Sequence, residues 1–234
     1  MPKVHFLDMI VPENERAAGV REPAAGLRGP MHASSEIIVP LSACSEPERS
    51  RRLAQAERIF FDTASTRQFG AEAARQAFLN RWFGNYARIK PQTFLLAIGR
   101  NGVVTGYLAG CIDSFSPAST GIAAAIDYFT AGFCAALKRY PSHFHINVRP
   151  GSQGKGTGRR LVSHFARMCA DAGSPGIHVV TGDKSRAVSF YEACGFGRLP
   201  PFPEAGAAHA VLVRVTDAPQ TARNPQGGGP GPGR

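Results

Sequence analysis

The chain has 234 residues, 43% of them hydrophobic, enough for one domain with a real core and tails at its ends. Its 27 basic and 17 acidic residues leave a net charge of +10, which suits an anionic partner such as a phosphorylated cofactor, a nucleic acid or an acidic surface. Five widely spaced cysteines without a C-x-x-C argue against a disulfide frame or a zinc site, and no apolar run reaches the length of a signal peptide or a membrane span, so a cytoplasmic protein with reduced thiols and no metal is expected.

Residues 1–33 carry Pro2, Pro12, Pro23 and Pro30 among scattered glycines, and a poorly ordered arm is expected there. The domain should occupy 34–216, opening with a short strand at Glu36–Val39. Ser45-Glu46-Pro47-Glu48 has capping-box spacing and predicts a helix over 46–62, with Leu53, Ala56 and Phe60 on one stripe. A second helix over 71–83 would bury Ala74, Phe78 and Trp82 and stop at Gly84. Thr93–Ile98 and Val103–Ile112 read as a hairpin turning at Gly99-Arg100-Asn101-Gly102, with Gly106 and Gly110 marking a bulge or a close backbone approach. Within 113–142, Ile122, Ile126, Phe129, Phe133 and Leu137 recur at helical spacing, as a core-packing helix or the wall of a substrate pocket.

Residues 143–158, HFHINVRPGSQGKGTG, are the most informative stretch. Phe144, Ile146 and Val148 alternate with His143, His145, Asn147 and Arg149, as in a strand, and Pro150-Gly151 ends it. The glycine-rich run after it has almost no side chains to pack, but lets backbone N–H groups approach a ligand at the start of a helix, a device suited to phosphate. The triphosphate loop fails, because Thr157-Gly158 stands where Lys-Ser/Thr is needed. The dinucleotide fingerprint also fails, at Arg159. A helix follows with Leu161, Val162, Phe165, Cys169 and Ala172 on its apolar stripe and Gly173 as its cap. Next come a strand at Ile177–Val180, a helix over 185–194 ending at Gly195, and a last strand, Ala208–Val215. Eight of the final ten residues are glycine or proline, so 217–234 should be a disordered tail, and removal of 218–234 should leave stability and cofactor affinity unchanged.

Gln153-x-x-Gly156-x-Gly158, between a strand and a helix, resembles the acetyl-coenzyme A signature of the GNAT acetyltransferases. Some thirty residues on, Ala187-Val188-Ser189-Phe190-Tyr191-Glu192-Ala193-Cys194-Gly195-Phe196 resembles the family segment A-x-x-F-Y-E-x-x-G-F. The run Tyr140–Ile146 loosely resembles a GNAT subgroup that includes acetyltransferase-like domains of hexosaminidases. The resemblance implies an α/β GNAT fold: a mixed, mostly antiparallel central sheet flanked by helices. It implies that backbone groups of Asn147 and Val148 pair with the pantetheine arm of acetyl-CoA. Gln153, Gly154, Lys155, Gly156, Thr157 and Gly158 would surround the pyrophosphate, and Lys155 and Arg159 would add charge. Lys184 stands where the family often has an asparagine on the cofactor arm. Tyr191 would be the general acid on the leaving sulfur; a merely packed aromatic is the other reading.

No carboxylate lies in 143–149, and relatives that carry Asp in this strand have it at the place of Asn147. His145 is the candidate base, since an ordinary histidine pKa near ~6.5 suits the task; a satisfied core or surface histidine remains open. The implied reaction is acetyl transfer from acetyl-CoA to a primary amine, on a small molecule or a protein, by direct attack. The departures at Asn147 and Lys184 leave a catalytically impaired acyl-CoA-binding module as the alternative. Nucleic-acid binding is disfavoured, because no basic run interleaves with aromatics. No membrane association is expected, and a homodimer is open. Asp127, with Tyr128 off the apolar stripe of 113–142, is the candidate selector of a cationic or hydrophobic acceptor.

Overall fold

The computed structural model describes residues 36–64, 66, 68–126, 129–201 and 208–216. The N-terminal arm, the C-terminal tail, Asp127 and Tyr128 lie outside the described residues.

Seven strands form one sheet: β1 Ile37–Pro40, β2 Phe94–Ile98, β3 Val104–Cys111, β4 Ser142–Val148, β5 Gly176–Gly182, β6 Gly197–Arg198 and β7 His209–Val215. Their spatial order is β1-β2-β3-β4-β5-β7-β6, and every neighbouring pair is antiparallel except β4 with β5. This is the mixed sheet expected from the sequence. Pro40 closes β1 on the sheet edge, where a missing N–H costs no ladder bond. The hairpin register shifts at Ala97/Ile98, opposite Gly106. A Cβ at Gly110 would lie 2.3 Å from the Phe165 ring, so this glycine lets the covering helix press onto the sheet.

Helices cover both faces. One face carries α1 Glu48–Thr63, α2 Glu72–Leu79, α3 Asn85–Ile89, α4 Thr120–Ala123 and α5 Ala131–Ala136, around a core that includes Phe60, Phe83, Phe94, Tyr107, Ile122 and Phe133. The other carries α6 Thr157–Asp171 and α7 Arg186–Ala193, around Leu108, Phe144, Leu161, Phe165 and Leu212. Alternation along β4 assigns His143, His145 and Asn147 to the first face and Phe144 to the second, as the strand pattern predicts.

Three local expectations are corrected. The capping box before α1 does not form: the helix starts after Pro47, and Glu46 instead accepts hydrogen bonds from the amide and hydroxyl of Ser50. Gly84 does not end its helix. It keeps helical dihedrals inside a π-turn, Asn80–Gly84, that runs on into α3. A Cβ at Gly84 would lie 2.7 Å from Asn80 Oδ1, so this glycine relieves crowding in the widened turn. The stripe in 113–142 is not one helix: α4 and α5 are separate, and Thr130 caps the second by accepting from the Phe133 amide. Ile122, Ile126, Phe133 and Leu137 are nonetheless buried, because two short helices can present to a core what one longer helix would. In α6 the predicted stripe is buried as far as Cys169, while Ala172, just past its last turn, is exposed.

Candidate active site

Among the described residues, the only parallel pair in the sheet is also incomplete. β4 and β5 pair at Ser142–Ile177 and His143–His178, and no further pairing follows although both strands continue. The direction of the unpaired groups follows from the ladders on either side. The Arg149 amide donates to Thr105 of the β3 side, so alternation turns the main chains of Asn147 and His145 toward β3 and those of Ile146 and Val148 into the gap. Likewise the Asp183 amide donates to Ala208, which turns Val180 and Gly182 into the gap from β5. The sequence reading of Asn147 as a main-chain ligand is therefore corrected: Ile146 and Val148 face the gap. Asn147 instead uses its side chain, donating from Nδ2 to the Tyr107 hydroxyl at 2.7 Å.

The gap opens into a cleft of about 440 Å³. Its floor holds Phe144, His145, Phe190 and Tyr191, and the glycine loop contributes Gln153, Gly154, Gly156, Thr157, Gly158 and Arg159. Gly151, Gly154 and Gly156 all have positive φ, a conformation that favours glycine and shapes a tight loop before α6. A Cβ at Gly158 would stand 3.1 Å from the Phe190 ring, so the first turn of α6 lies close to α7. The amide group of Gln153 reaches back to the Val148 carbonyl at 3.1 Å and braces the loop on the strand.

Two predicted residues stand apart from the cleft lining. Lys155 donates to the Gly151 carbonyl at 2.8 Å, which holds the loop instead of extending its charge into the cleft. Lys184 is exposed in the turn before α7, while its neighbour Ser185 caps that helix by accepting from the Ala187 amide. Arg186, Thr63 and Val180 line the cleft and were not singled out from the sequence. Arg186 stands immediately before the second motif, where a cation in the first turn of α7 was legible. Thr63 ends α1, 79 residues before the start of β4, and carries no local signal.

The cleft's titratable groups are set by burial. Tyr191 is 8% exposed, and burial followed by the neighbouring Cys194 pushes its pKa up, so the phenol keeps its proton at neutral pH. His145 is also 8% exposed, and burial followed by the charge of His178 drives its pKa down to about 3. Its ring lies edge-on to Trp82, with centroids 4.6 Å apart, and next to Tyr86 at 5.5 Å. Its Nε2 is buried without a hydrogen-bond partner. The expected ordinary histidine base is corrected: this imidazole is neutral and weakly basic.

Behind it lie two more buried histidines. Ser114 gives its proton to the Pro141 carbonyl, so His143 Nδ1–H donates to Ser114 Oγ at 2.6 Å, and His143 Nε2 accepts from the Tyr86 hydroxyl at 2.6 Å. His178 Nδ1–H donates to the Tyr140 carbonyl at 2.6 Å, and its ring stacks on Phe115 with centroids 6.4 Å apart. Burial holds both pKa values low, that of His178 at about 4. Among the described residues, no group of His, Cys, Asp and Glu side chains could hold a metal ion.

The family described as acetyltransferase (GNAT) domain matches residues 92–198, which span β2 to β6 and contain both the gap and the glycine loop. The chain carries a GNAT acetyltransferase domain. The GNAT fold is shared with solved structures of low identity. The crystal structure of SsHAT is 19% identical with a TM-score of 0.59, the match covering 78% of this chain and 99% of that one. PH1933 from Pyrococcus horikoshii OT3 is 15% identical with a TM-score of 0.54, again covering 78% and 99%. The matched residues belong to an acetyltransferase family whose co-substrate is acetyl-CoA. The cleft suits such a molecule: a strip of unpaired main-chain groups can meet an amide-bearing arm, and a positive helix end beside Arg159 and Arg186 suits its phosphates. No helix among the described residues is long and apolar enough to cross a membrane.

Proposed function

We propose that this domain transfers the acetyl group of acetyl-CoA directly to a primary amine in the cleft between β4 and β5. The observation that carries the reading is the gap itself: β4 and β5 part after two residue pairs, directly before the glycine loop, with Tyr191 and His145 in one cleft. The loop amides of 154–158, the N-terminus of α6 and Arg159 take the pyrophosphate, with Lys155 and Gln153 bracing the loop. Main-chain groups of Ile146, Val148 and Val180 take the pantetheine arm. Lys184 is assigned no direct contact, and Arg186 takes its place as the cation at that helix.

The amine nitrogen attacks the thioester carbonyl carbon, the carbon–sulfur bond breaks, and the thiolate takes a proton from Tyr191. The sulfur, whose thiol has a pKa of roughly 8.5, takes this proton as the carbon–sulfur bond breaks, and Tyr191 regains one from solvent, so that no charge is left on the buried phenol. N–H groups of the β4 edge stabilise the carbonyl oxygen as its charge grows. His145 lines the cleft beside the attacking amine as a neutral imidazole, with its Nε2 buried. It does not keep the proton, which passes to solvent, because its pKa is about 3.

A panel of amino sugars, polyamines, antibiotics, amino acids and lysine peptides, scored by release of the coenzyme A thiol, tests the reading. At least one amine should support turnover, and kcat/KM should climb with pH above 7 without a limb near the usual histidine pKa of ~6.5. Coenzyme A binding without turnover on any amine would leave the impaired binding module.

A further inference from the structure

Glu36 is the first described residue, and its side chain is only 11% exposed. It ties three parts of the chain together. Oε1 accepts from the Thr105 hydroxyl on β3 and, at 3.2 Å, from the Thr157 hydroxyl at the start of α6. Oε2 pairs with the Arg160 guanidinium. Arg160 in turn donates from Nη1 to the Lys155 carbonyl at 3.2 Å and from Nη2 to Thr157 Oγ1 at 3.3 Å. A chain of contacts therefore runs from the residue before β1 through Arg160 to the backbone of the glycine loop. Arg160 itself does not line the cleft, whereas Thr157 and its neighbours do.

This arrangement has a direct effect on the loop's amides. A carbonyl held by a guanidinium on one side of the loop leaves the N–H groups of the following residues to point elsewhere. A six-residue loop with three glycines is otherwise costly to order, at ~1–2 kcal/mol of backbone entropy per residue. Burial alone would raise the Glu36 pKa, but bonds from Thr105, Arg160 and Thr157, with the Arg160 charge, hold it low, so the pair stays ionised.

We infer that Glu36 is a positioning residue for acetyl-CoA: through Arg160 and Thr157 it preorganises the phosphate-binding loop without touching the cofactor. The inference rests on the proposed use of that loop for the pyrophosphate. As an anion near the positive end of α6, Glu36 also opposes the phosphates, so its positional and electrostatic effects have opposite signs and can be told apart.

Coenzyme A binding is measured by calorimetry on the full chain, with Glu36→Ala, Glu36→Gln, Arg160→Ala and the Glu36→Ala/Arg160→Ala double variant. Glu36→Ala and Arg160→Ala should each raise Kd about tenfold, the lower end of what a hydrogen bond to a charged group contributes. The double variant should be no worse than either single one, and Glu36→Gln, which keeps an acceptor for the hydroxyls, should fall between. In turnover, KM for acetyl-CoA should rise by more than kcat falls. Unchanged or tighter binding in Glu36→Ala overturns the inference. So does a double variant whose losses multiply, or a loss of folded fraction at unchanged Kd. If Glu36→Ala does not fold, Glu36→Gln and Arg160→Ala carry the same comparison. A wild-type chain that fails to bind coenzyme A overturns the cofactor site itself, an outcome distinct from all of these.

Discussion

On the α6–α7 face, the cleft draws most of its wall from one continuous stretch, 144–159, and uses mainly backbone: glycines with positive φ, a helix end and unpaired strand amides. On the α1–α5 face, the cleft is lined by His145, and packed behind it are Trp82, Tyr86, His143 and His178, drawn from the π-turn, α3, β4 and β5, with Phe129 and Phe133 over the histidines. The first wall is polar by virtue of main-chain groups that no mutation removes. The second backs onto three buried imidazoles whose pKa values burial holds low. A ligand with a fixed phosphate needs only the former.

The comparison is broken most severely at the glycine loop. Gly156→Asp places a carboxylate where the loop would receive pyrophosphate, at a φ of 83° that disfavours most side chains. Acetyl-CoA binding should be abolished in a variant that still folds, and unchanged affinity by calorimetry would remove the loop from the site. Next in size is Tyr191→Phe. A lost general acid lowers kcat by roughly 10²-fold, while affinity for acetyl-CoA should barely change. Wild-type turnover would reduce Tyr191 to packing against Phe144 and Phe196.

The smallest and most gradual effect concerns the histidine wall. His145, His143 and His178 have folded pKa values below the unfolded value, so the unfolded chain binds more protons, and the stability they confer is present above about 6.5 and lost as pH falls toward 4 and 3. By pH 5 His145 and His178 should each cost about 2 kcal/mol, a large share of a domain's ~5–15 kcal/mol, with His143 acting in the same direction. Urea unfolding at pH 7.5, 6 and 5 reads this directly, and His178→Phe should flatten the slope by about a third. A stability that is flat over this range would show that the imidazoles reach water.

The contrast between the walls also explains what the sequence disclosed. A glycine loop is a local object whose chemistry lies in consecutive residues, and so is the Ser185–Gly195 cap-helix-cap; both were legible. Strand alternation even separated His143 and His145 from Phe144. It could not report which strand edge each main chain would face, and Asn147 was misplaced for that reason. Nor could it report that Trp82 and Tyr86 would enclose His145, because burial is a property of the assembled sheet and it moved that pKa to about 3. Gly84 reads as a stop in any local grammar; only the close approach of Asn80 shows why the helical run passes through it. Glu36 carried no signal at all, its partners lying 69, 121 and 124 residues away.

The parting of β4 from β5 bears on how the sheet breathes. In most sheets the central amides are the slowest to exchange with solvent and the edge amides the fastest. Here Ile146, Val148, Val180 and Gly182 sit mid-sheet with edge-like main chains, so exchange at their amides should resemble that of a rim. On the proposed cofactor site, a bound pantetheine arm would act as an inserted strand that restores the missing rungs. The two halves of the sheet, joined along this line by two residue pairs, would be stitched together by the substrate itself, and their mutual rigidity would come and go with each turnover.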